Sequence, residues 1–324
     1  MTPNSAIAIS KIRDMLSKGA DGAALASNVA ELMRMSLWCG RELAPAQTVH
    51  RVTYHHEQVP QTLADIGPPP APWAGVGRAN LPERPVFYGT SEGIAAFYEA
   101  GAVSVGKVVV HAKWVTTKPM RVIAVGYSTG ALVQVGASRP SPPWLQVWEA
   151  DQPTASGRDV REFIAMAFTD TTTAHYPLTA AVSALVMQTD DMAVMYPATK
   201  KDGNVDNVAL ATGFAAKALR LEQAMVAKVI DVLPDRSLKT RELGLLRNAS
   251  GDRLEWDPHG DPMEAHPGDR LSLLAVGQIV QMQSQAGLRV AGKDYQVFPG
   301  YQIERTVTGY IIRNLKGEVL NPLV

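Results

Sequence analysis

Residues 77–99 read GRANLPERPVFYGTSEGIAAFYE, and the reading of this stretch decides the fold. Polar punctuation from Gly77 to Pro85 leads into a short apolar run, Val86-Phe87-Tyr88, with the length and residue types of a strand. After a turn, Ser91 stands at the N-cap position of a short helix over 91–98, which Gly101 stops. The unit is strand, turn, helix, with Glu99 in the last helical turn. A carboxylate there faces the negative end of the helix dipole, unfavourable by about a few tenths of a kcal/mol or more. Local rules of this kind are broken preferentially at functional sites.

Upstream, residues 5–45 carry apolar positions at helical spacing: Ile7, Ile9, Ile12 and Met15, then Leu25, Val29, Leu32, Met33 and Leu37. Gly19, Asp21 and Gly22 divide them into two helices, a lid or packing hairpin or, alternatively, an interaction surface. His50 to Tyr54 reads as a strand. Residues 57–75, with Pro68-Pro69-Pro70, Pro72 and Trp73, read as loop. Downstream, Val105 to Lys113 and Met120 to Val125 are β-prone, whereas the Pro- and Ser-rich residues 137–158 predict a long surface excursion. Helices are expected over 159–168 and 179–187, a strand over 192–196, a loop over 197–203 and a further apolar run at 207–210. Leu219 to Leu233 suits either helix or strand. Leu233-Pro234-Asp235 is the expected domain boundary. Beyond it the chain is β-leaning over 271–282, 295–298 and 302–312, with a terminal hairpin at Asn314 to Gly317.

The chain has 324 residues, enough for one large domain with extensions or for two. Its 31 basic and 31 acidic residues balance, which excludes a general electrostatic attraction to nucleic acid or to an anionic membrane. The single cysteine, Cys39, permits no internal disulfide and reads as a small buried hydrophobe in a reducing compartment. The N-terminus lacks a signal-peptide pattern, and no stretch approaches the ~20 apolar residues that span a bilayer. These features predict a soluble cytoplasmic protein.

Several chemistries find no support. His55-His56-Glu57 is a dense trio, but neighbours on a strand point to opposite faces, and no second cluster has zinc-like spacing. The acidic, His-containing run from Asp252 through Asp257, His259, Asp261, Glu264 and His266 to Asp269 lacks the oxygen-ligand alternation of a calcium loop and reads as a solvated turn. No metal is expected. Gly75-Val76-Gly77 has no third glycine opening a helix, and no Gly-Lys-Ser/Thr phosphate loop exists. A serine-hydrolase elbow of the Gly-x-Ser-x-Gly kind is read as absent, with Gly126-Tyr127-Ser128-Thr129-Gly130 read as off by one residue. What remains is Arg51 on an early strand, Arg78 and Asn80 before the next, Tyr88 at its end and Glu99 on the helix after it. An arginine fork grips pyrophosphate, a tyrosine packs on a planar ring, and a carboxylate stabilises an oxocarbenium-like sugar cation. Together these are the parts needed to split a nucleotide N-glycosidic bond.

Arg51, the 77–99 stretch, Tyr176-Pro177-Leu178-Thr179, Met195-Tyr196-Pro197-Ala198 and Asn207-Val208-Ala209-Leu210 together resemble the RES domain, a family named for an arginine, a glutamate and a serine. The resemblance covers roughly residues 47–232, and 77–99 is its most specific part. It implies an α+β fold with an ADP-ribosyltransferase-like mixed core, preceded by an N-terminal helical segment (1–46) and followed by a small β-rich extension (233–324). It implies an enzyme that consumes NAD as substrate, a glycohydrolase or phosphorylase cleaving the nicotinamide–ribose bond, commonly a bacterial toxin paired with an antitoxin protein. Arg51, Tyr88 and Glu99 would be catalytic, and Arg78, Asn80, Thr199 and Asn207 would hold NAD. The family serine follows a Tyr-Pro pair; here Ala198 does, and Thr199 comes next. Either Thr199 supplies the hydroxyl or the site is weakened. The alternatives are therefore an ADP-ribosyltransferase acting on a protein target and an RES-like binding module whose chemistry has lapsed. A third class is an interaction protein built around the N-terminal helices.

Overall fold

The computed structural model describes residues 3–54, 59–151, 154–189, 191–258, 279–281, 286–290, 293–297, 301–306 and 309–320. The chain forms two units. The first comprises Met1–Arg51, Thr62–Ala100 and Ala112–Glu222; the second comprises Val52–Gln61, Gly101–His111 and Gln223–Val324. The class is α+β.

In chain order the elements begin with helices α1 (Pro3–Ser17) and α2 (Gly22–Met33), then strands β1 (Cys39–Leu43) and β2 (Thr48–Tyr54). The short helix α3 (Leu63–Ile66) precedes β3 (Val86–Thr90), α4 (Gly93–Glu99), β4 (Val108–Thr116) and β5 (Met120–Ala124). Helices α5 (Thr129–Gln134), α6 (Pro143–Ala150), α7 (Ala155–Thr169) and α8 (Tyr176–Val186) follow. Then come β6 (Met192–Pro197), β7 (Asp206–Ala211), α9 (Thr212–Ala218), β8 (Leu219–Val232), β9 (Leu238–Ser250) and β10 (Arg253–Pro258). The last described strands are β11 (Ile279–Gln281), β12 (Ala286–Val290), β13 (Lys293–Val297), β14 (Gln302–Thr306) and β15 (Gly309–Arg313).

The sheet of the first unit runs β1-β5-β6-β7-β3-β2-β4. The β5–β6 pair is parallel; β1–β5, β6–β7, β3–β7 and β2–β3 are antiparallel. The register sets Tyr88 opposite Ala209, and Asn207 opposite both Thr90 and Tyr196. One face of this sheet is covered by helices. Ile9 and Ile12 of α1, Leu25 and Leu32 of α2, Ile164 and Phe168 of α7, and Leu178 and Val182 of α8 share one core with Val194 and Ala209. Each large side chain buried there contributes about 1.5–3 kcal/mol. The N-terminal segment expected as a separate 1–46 element is therefore part of the main core, because the periodic apolar faces of α1 and α2 have α7 and α8 to pack on.

Several local expectations change. Glu92, not Ser91, occupies the N-cap position of α4. Ser91 instead ties the turn to the start of β7: its N–H donates to the Asp206 carbonyl at 2.9 Å, and its hydroxyl accepts from the Asp206 N–H at 3.3 Å. The excursion expected over 137–158 contains α6, with Leu145 and Trp148 buried, and the start of α7, capped by the Thr154 hydroxyl at the Gly157 N–H. Pro143 sits in the first turn of α6, where a missing N–H costs nothing, so proline starts this helix rather than forbidding it. Within 59–75, expected as loop, α3 forms under a Thr62/Asp65 capping box and Ala71–Trp73 makes a 3-10 turn. Cys39 is half-buried on β1, with its thiol pKa raised by burial against a smaller opposing effect of Arg41.

In the second unit, β8 pairs antiparallel with β9 and β9 with β10. The ambiguous 219–233 stretch is thus a strand. The boundary expected at Leu233-Pro234-Asp235 falls in a hairpin turn, in which Leu233 N–H donates to the Ser237 carbonyl at 2.9 Å and Asp235 Oδ1 accepts from Ser237 N–H at 2.9 Å. Residues well before 233 belong to this unit: Gly106 N–H donates to the Val229 carbonyl, and Leu254 N–H to that of Gln61, both at 2.8 Å. The β-rich expectation for the C-terminal residues matches the described strands, with a β11-β14-β15 sheet and a β12-β13 hairpin. The terminal turn lies at Asn314–Gly317, where Asn314 N–H donates to the Glu318 carbonyl at 3.0 Å. His55-His56-Glu57, the acidic run beyond Pro258 and the run 271–278 lie outside the described residues. Among the described residues, no helix is long and apolar enough to cross a membrane.

Gly22 shows how closely the N-terminal hairpin sits. A Cβ at this position would lie 2.9 Å from the Pro177 carbonyl oxygen and would press on the Leu81 side chain. Gly22→Ala is expected to destabilise the fold by about 1–3 kcal/mol, despite the better helix propensity of alanine, as read from the denaturant midpoint.

Candidate active site around Glu99

Strands β3, β6 and β7 and helix α4 bring most of the expected residues together within the first unit. Glu99, half-buried at the end of α4, has an unfavourable position twice over: it faces the helix dipole and leaves water. The turn 198–203 compensates. Lys200 donates its backbone N–H to Glu99 Oε1 at 3.2 Å, and its ammonium caps the Glu99 carbonyl at 3.0 Å. Burial pushes the Glu99 pKa up. The Lys200 N–H bond, the Lys200 and Arg78 charges and a hydrogen bond from the Asn207 side chain hold it down in part.

Arg78 is 8% exposed. Its Nη1 donates to the Phe168 carbonyl, its Nη2 to Thr199 Oγ1 at 3.3 Å, and its guanidinium lies 5.2 Å from the centre of the Tyr176 ring. The Thr199 hydroxyl therefore faces Arg78. Ala198 is fully buried in an apolar contact with Ala95 and Val205. Tyr196, opposite Asn207, is buried. Its hydroxyl pKa is raised well above the ordinary range by burial, then by Tyr88 and Glu99.

Asn207 is 3% exposed, and its Oδ1 is buried without a hydrogen-bond partner. An orphaned buried carbonyl costs about 1–3 kcal/mol, and such atoms call for an explanation in strain, function or an absent ligand. The strand end that carries it is braced: Asp206 Oδ1 accepts from Tyr127 Oη at 2.7 Å and from Arg139 Nη2 at 2.6 Å.

Three expected residues are held by bonds within the protein. Arg51, expected to offer its fork to a pyrophosphate, donates its Nε to the Ile66 carbonyl at 3.3 Å, its Nη1 to that of Tyr88 at 3.0 Å and its Nη2 to that of Gly67 at 2.8 Å. The guanidinium also lies 5.3 Å from the Phe87 ring centre, and burial lowers its pKa to about 10, opposed by Tyr88. Tyr88 donates its hydroxyl to Asn80 Oδ1 at 2.8 Å and accepts from the Ala79 N–H at 2.7 Å; its pKa is raised, chiefly by burial. Asn80 gives both amide hydrogens to carbonyls, Gly75 at 2.7 Å and Leu81 at 3.0 Å. These three side chains hold the loop before β3 in place. The contributions of Lys200, Tyr176 and Tyr196 were not expected as site roles. Lys200 acts largely through its backbone N–H, which no residue type announces, while the tyrosines precede prolines already visible in the sequence.

Gly126-Tyr127-Ser128-Thr129-Gly130 does have the Gly-x-Ser-x-Gly spacing of a hydrolase elbow, and it joins β5 to α5. The geometry is not that of an elbow. Ser128 is fully buried with extended backbone (φ −152, ψ 160), and its hydroxyl accepts from the Ala131 N–H as a helix N-cap. Gly126 is there for packing, since a Cβ would lie 2.7 Å from Pro197 Cδ and 3.0 Å from both Phe168 Cβ and Tyr196 Cβ. A cavity of about 410 Å³ lined by Thr48, Lys113, Thr116, Arg220 and Glu222 contains none of the residues discussed above; there Lys113 pairs with Glu222 at 2.6 Å. Among the described residues, no group of three or more His, Cys, Asp or Glu side chains is arranged to hold a metal ion.

Compared with known proteins, the chain matches no protein-family model and no curated protein.

Two outcomes follow from this geometry. Because the Glu99 pKa is raised in the fold from 4.5, ionised Glu99 costs stability above the raised value and nothing below about pH 4.5. Glu99→Gln should therefore raise the thermal midpoint at neutral pH, with the gain shrinking to zero as pH falls through that window. Tyr88→Phe leaves Asn80 Oδ1 and the Ala79 N–H without a partner and should cost about 1–3 kcal/mol in denaturant unfolding.

Proposed function

We propose that this chain is an NAD-consuming enzyme of the ADP-ribosyltransferase-like kind, resembling the RES domain, that breaks the bond between nicotinamide and ribose. The observation that carries the reading is the convergence of Glu99, Arg78, Thr199 and Asn207 in one buried cluster with an unmet carbonyl. In this reaction the C1′–N bond breaks heterolytically. Its electron pair goes to the pyridinium nitrogen, nicotinamide leaves neutral, and C1′ becomes an oxocarbenium-like cation. The acceptor's lone pair then forms the new bond at C1′ and its proton passes to base. Glu99, ionised and held by Lys200 and Asn207, stabilises the cation. Arg78 supplies the positive charge for the pyrophosphate, the role first assigned to Arg51, with Thr199 beside it. Arg51, Tyr88 and Asn80 act as positioning residues. Tyr176 supplies flat apolar surface for the ring. Water or phosphate as acceptor makes the protein a glycohydrolase or phosphorylase; a side chain makes it a transferase. A toxin restrained by a protein antitoxin is the biological setting that the resemblance supports.

The competing reading, a binding module with lapsed chemistry, is favoured by Ala198, buried where the family places its serine. Incubation of purified protein with NAD separates the two. Nicotinamide release is expected, falling by about 100-fold or more in Glu99→Gln with folding retained. The raised Glu99 pKa should make the wild-type rate fall on the acid side at a higher pH than an exposed carboxylate would give. No release above the Glu99→Gln control overturns the enzyme reading.

A further inference from the structure

Asn207 carries a donor and an acceptor. Its side chain is one of the neighbours that hold the Glu99 pKa down, while Oδ1 is buried with no donor. The orientation is dictated by chemistry: exchanging the two atoms would set a carbonyl oxygen against a carboxylate and waste the only donor. Opposite Thr90 and Tyr196 in the sheet, and braced by Tyr127 and Arg139 through Asp206, the side chain sits on a rigid strand end. Oδ1 is therefore a fixed acceptor waiting for an N–H or O–H donor beside the reacting carboxylate.

Resting on the NAD reading above, we infer that Asn207 Oδ1 receives a carboxamide N–H of the nicotinamide ring, so that the site accepts the amide and rejects the corresponding acid. NAD presents two kinds of donor at this end, the ribose hydroxyls and the carboxamide. Glu99, an anionic acceptor, is the stronger partner for a hydroxyl next to the developing cation. The neutral carbonyl of Asn207 matches the neutral amide. Nicotinic acid in the same place brings a carboxylate, which has no N–H to give and meets both the Asn207 lone pairs and the Glu99 charge. Sites that hydrogen-bond a substrate N–H discriminate strongly against an analogue lacking it.

The test compares base release from NAD and from nicotinic acid adenine dinucleotide by wild-type protein and Asn207→Ala. It also measures binding of free nicotinamide and nicotinic acid by calorimetry. Wild type should prefer NAD by at least about 100-fold in kcat/KM and bind nicotinamide but not nicotinic acid. In Asn207→Ala the loosened Glu99 lowers both rates, but the preference itself should collapse by about 10-fold or more, to the part that the Glu99 charge alone sustains, which a merely structural role would not produce. Asn207→Ser, which keeps a donor for Glu99 and withdraws the carbonyl, gives the same collapse if the alanine variant does not fold. Equal use of the two dinucleotides by wild type overturns the inference while leaving the proposed function standing. So does an equal loss on both substrates with the preference intact, which assigns Oδ1 to a ribose hydroxyl. If neither dinucleotide is cleaved, the proposed function fails, and equal or absent binding of the two free bases then overturns this inference by itself.

Discussion

One tyrosine ties the first unit together. Tyr88 lies in the middle of β3, and both ends of it are committed. Its hydroxyl is fixed between the Ala79 N–H and the Asn80 amide oxygen, and its carbonyl accepts from Arg51. Arg51 in turn gathers the carbonyls of Ile66 and Gly67, and Asn80 gathers those of Gly75 and Leu81. A proline-rich segment with little regular structure is thereby held by charge-assisted and buried hydrogen bonds, the kind that cost most when a partner is lost. Arg78 is the next residue along this loop before Ala79, so its entry into the cluster around Glu99 depends on the same bonds.

The second constraint is electrostatic. A carboxylate at a helix C-terminus, partly out of water, has to be supported by donors supplied from elsewhere. The turn after β6 and the start of β7 supply them, through the Lys200 N–H and the Asn207 amide. The support is incomplete, since burial still prevails and the pKa remains raised. A carboxylate drawn out of water under incomplete support costs the fold stability when it ionises, and groups perturbed in this way concentrate at functional sites.

Much of this was legible in the chain. The strand–turn–helix at 86–99 announced itself through an apolar run, a polar turn and a stopping glycine, and Glu99 through its conflict with the helix dipole. Arg78, Thr199 and Asn207 were legible as polar residues flanking apolar strands. Side-chain type could not say which arginine would lie beside Glu99: the forks of Arg51 and Arg78 are chemically identical, and only folding sets Ile66 and Gly67 against one and Phe168 and Thr199 against the other. Nor does composition reveal α6, because proline marks a break in the middle of a helix and a start in its first turn. Gly-x-Ser-x-Gly at 126–130 carries the opposite lesson. The spacing fits a nucleophile, yet an extended backbone and a cap bond to Ala131 turn the serine inward.

The interleaving of the two units bears on synthesis. The chain leaves and re-enters the first unit at Arg51/Thr62 and again at Ala100/Ala112 before passing on at Glu222. Val86 of β3 pairs beside Ala211 of β7, and Gln61 bonds to Leu254. Neither unit can close on a ribosome until residues far downstream have emerged, at roughly 5–20 residues per second. During that interval β3 presents an unpaired, apolar edge of the sort that recruits foreign strands. A fold dominated by such distant pairings forms slowly. The order in which the strands emerge thus leaves an interval, set by the topology alone, in which misassociation competes with folding.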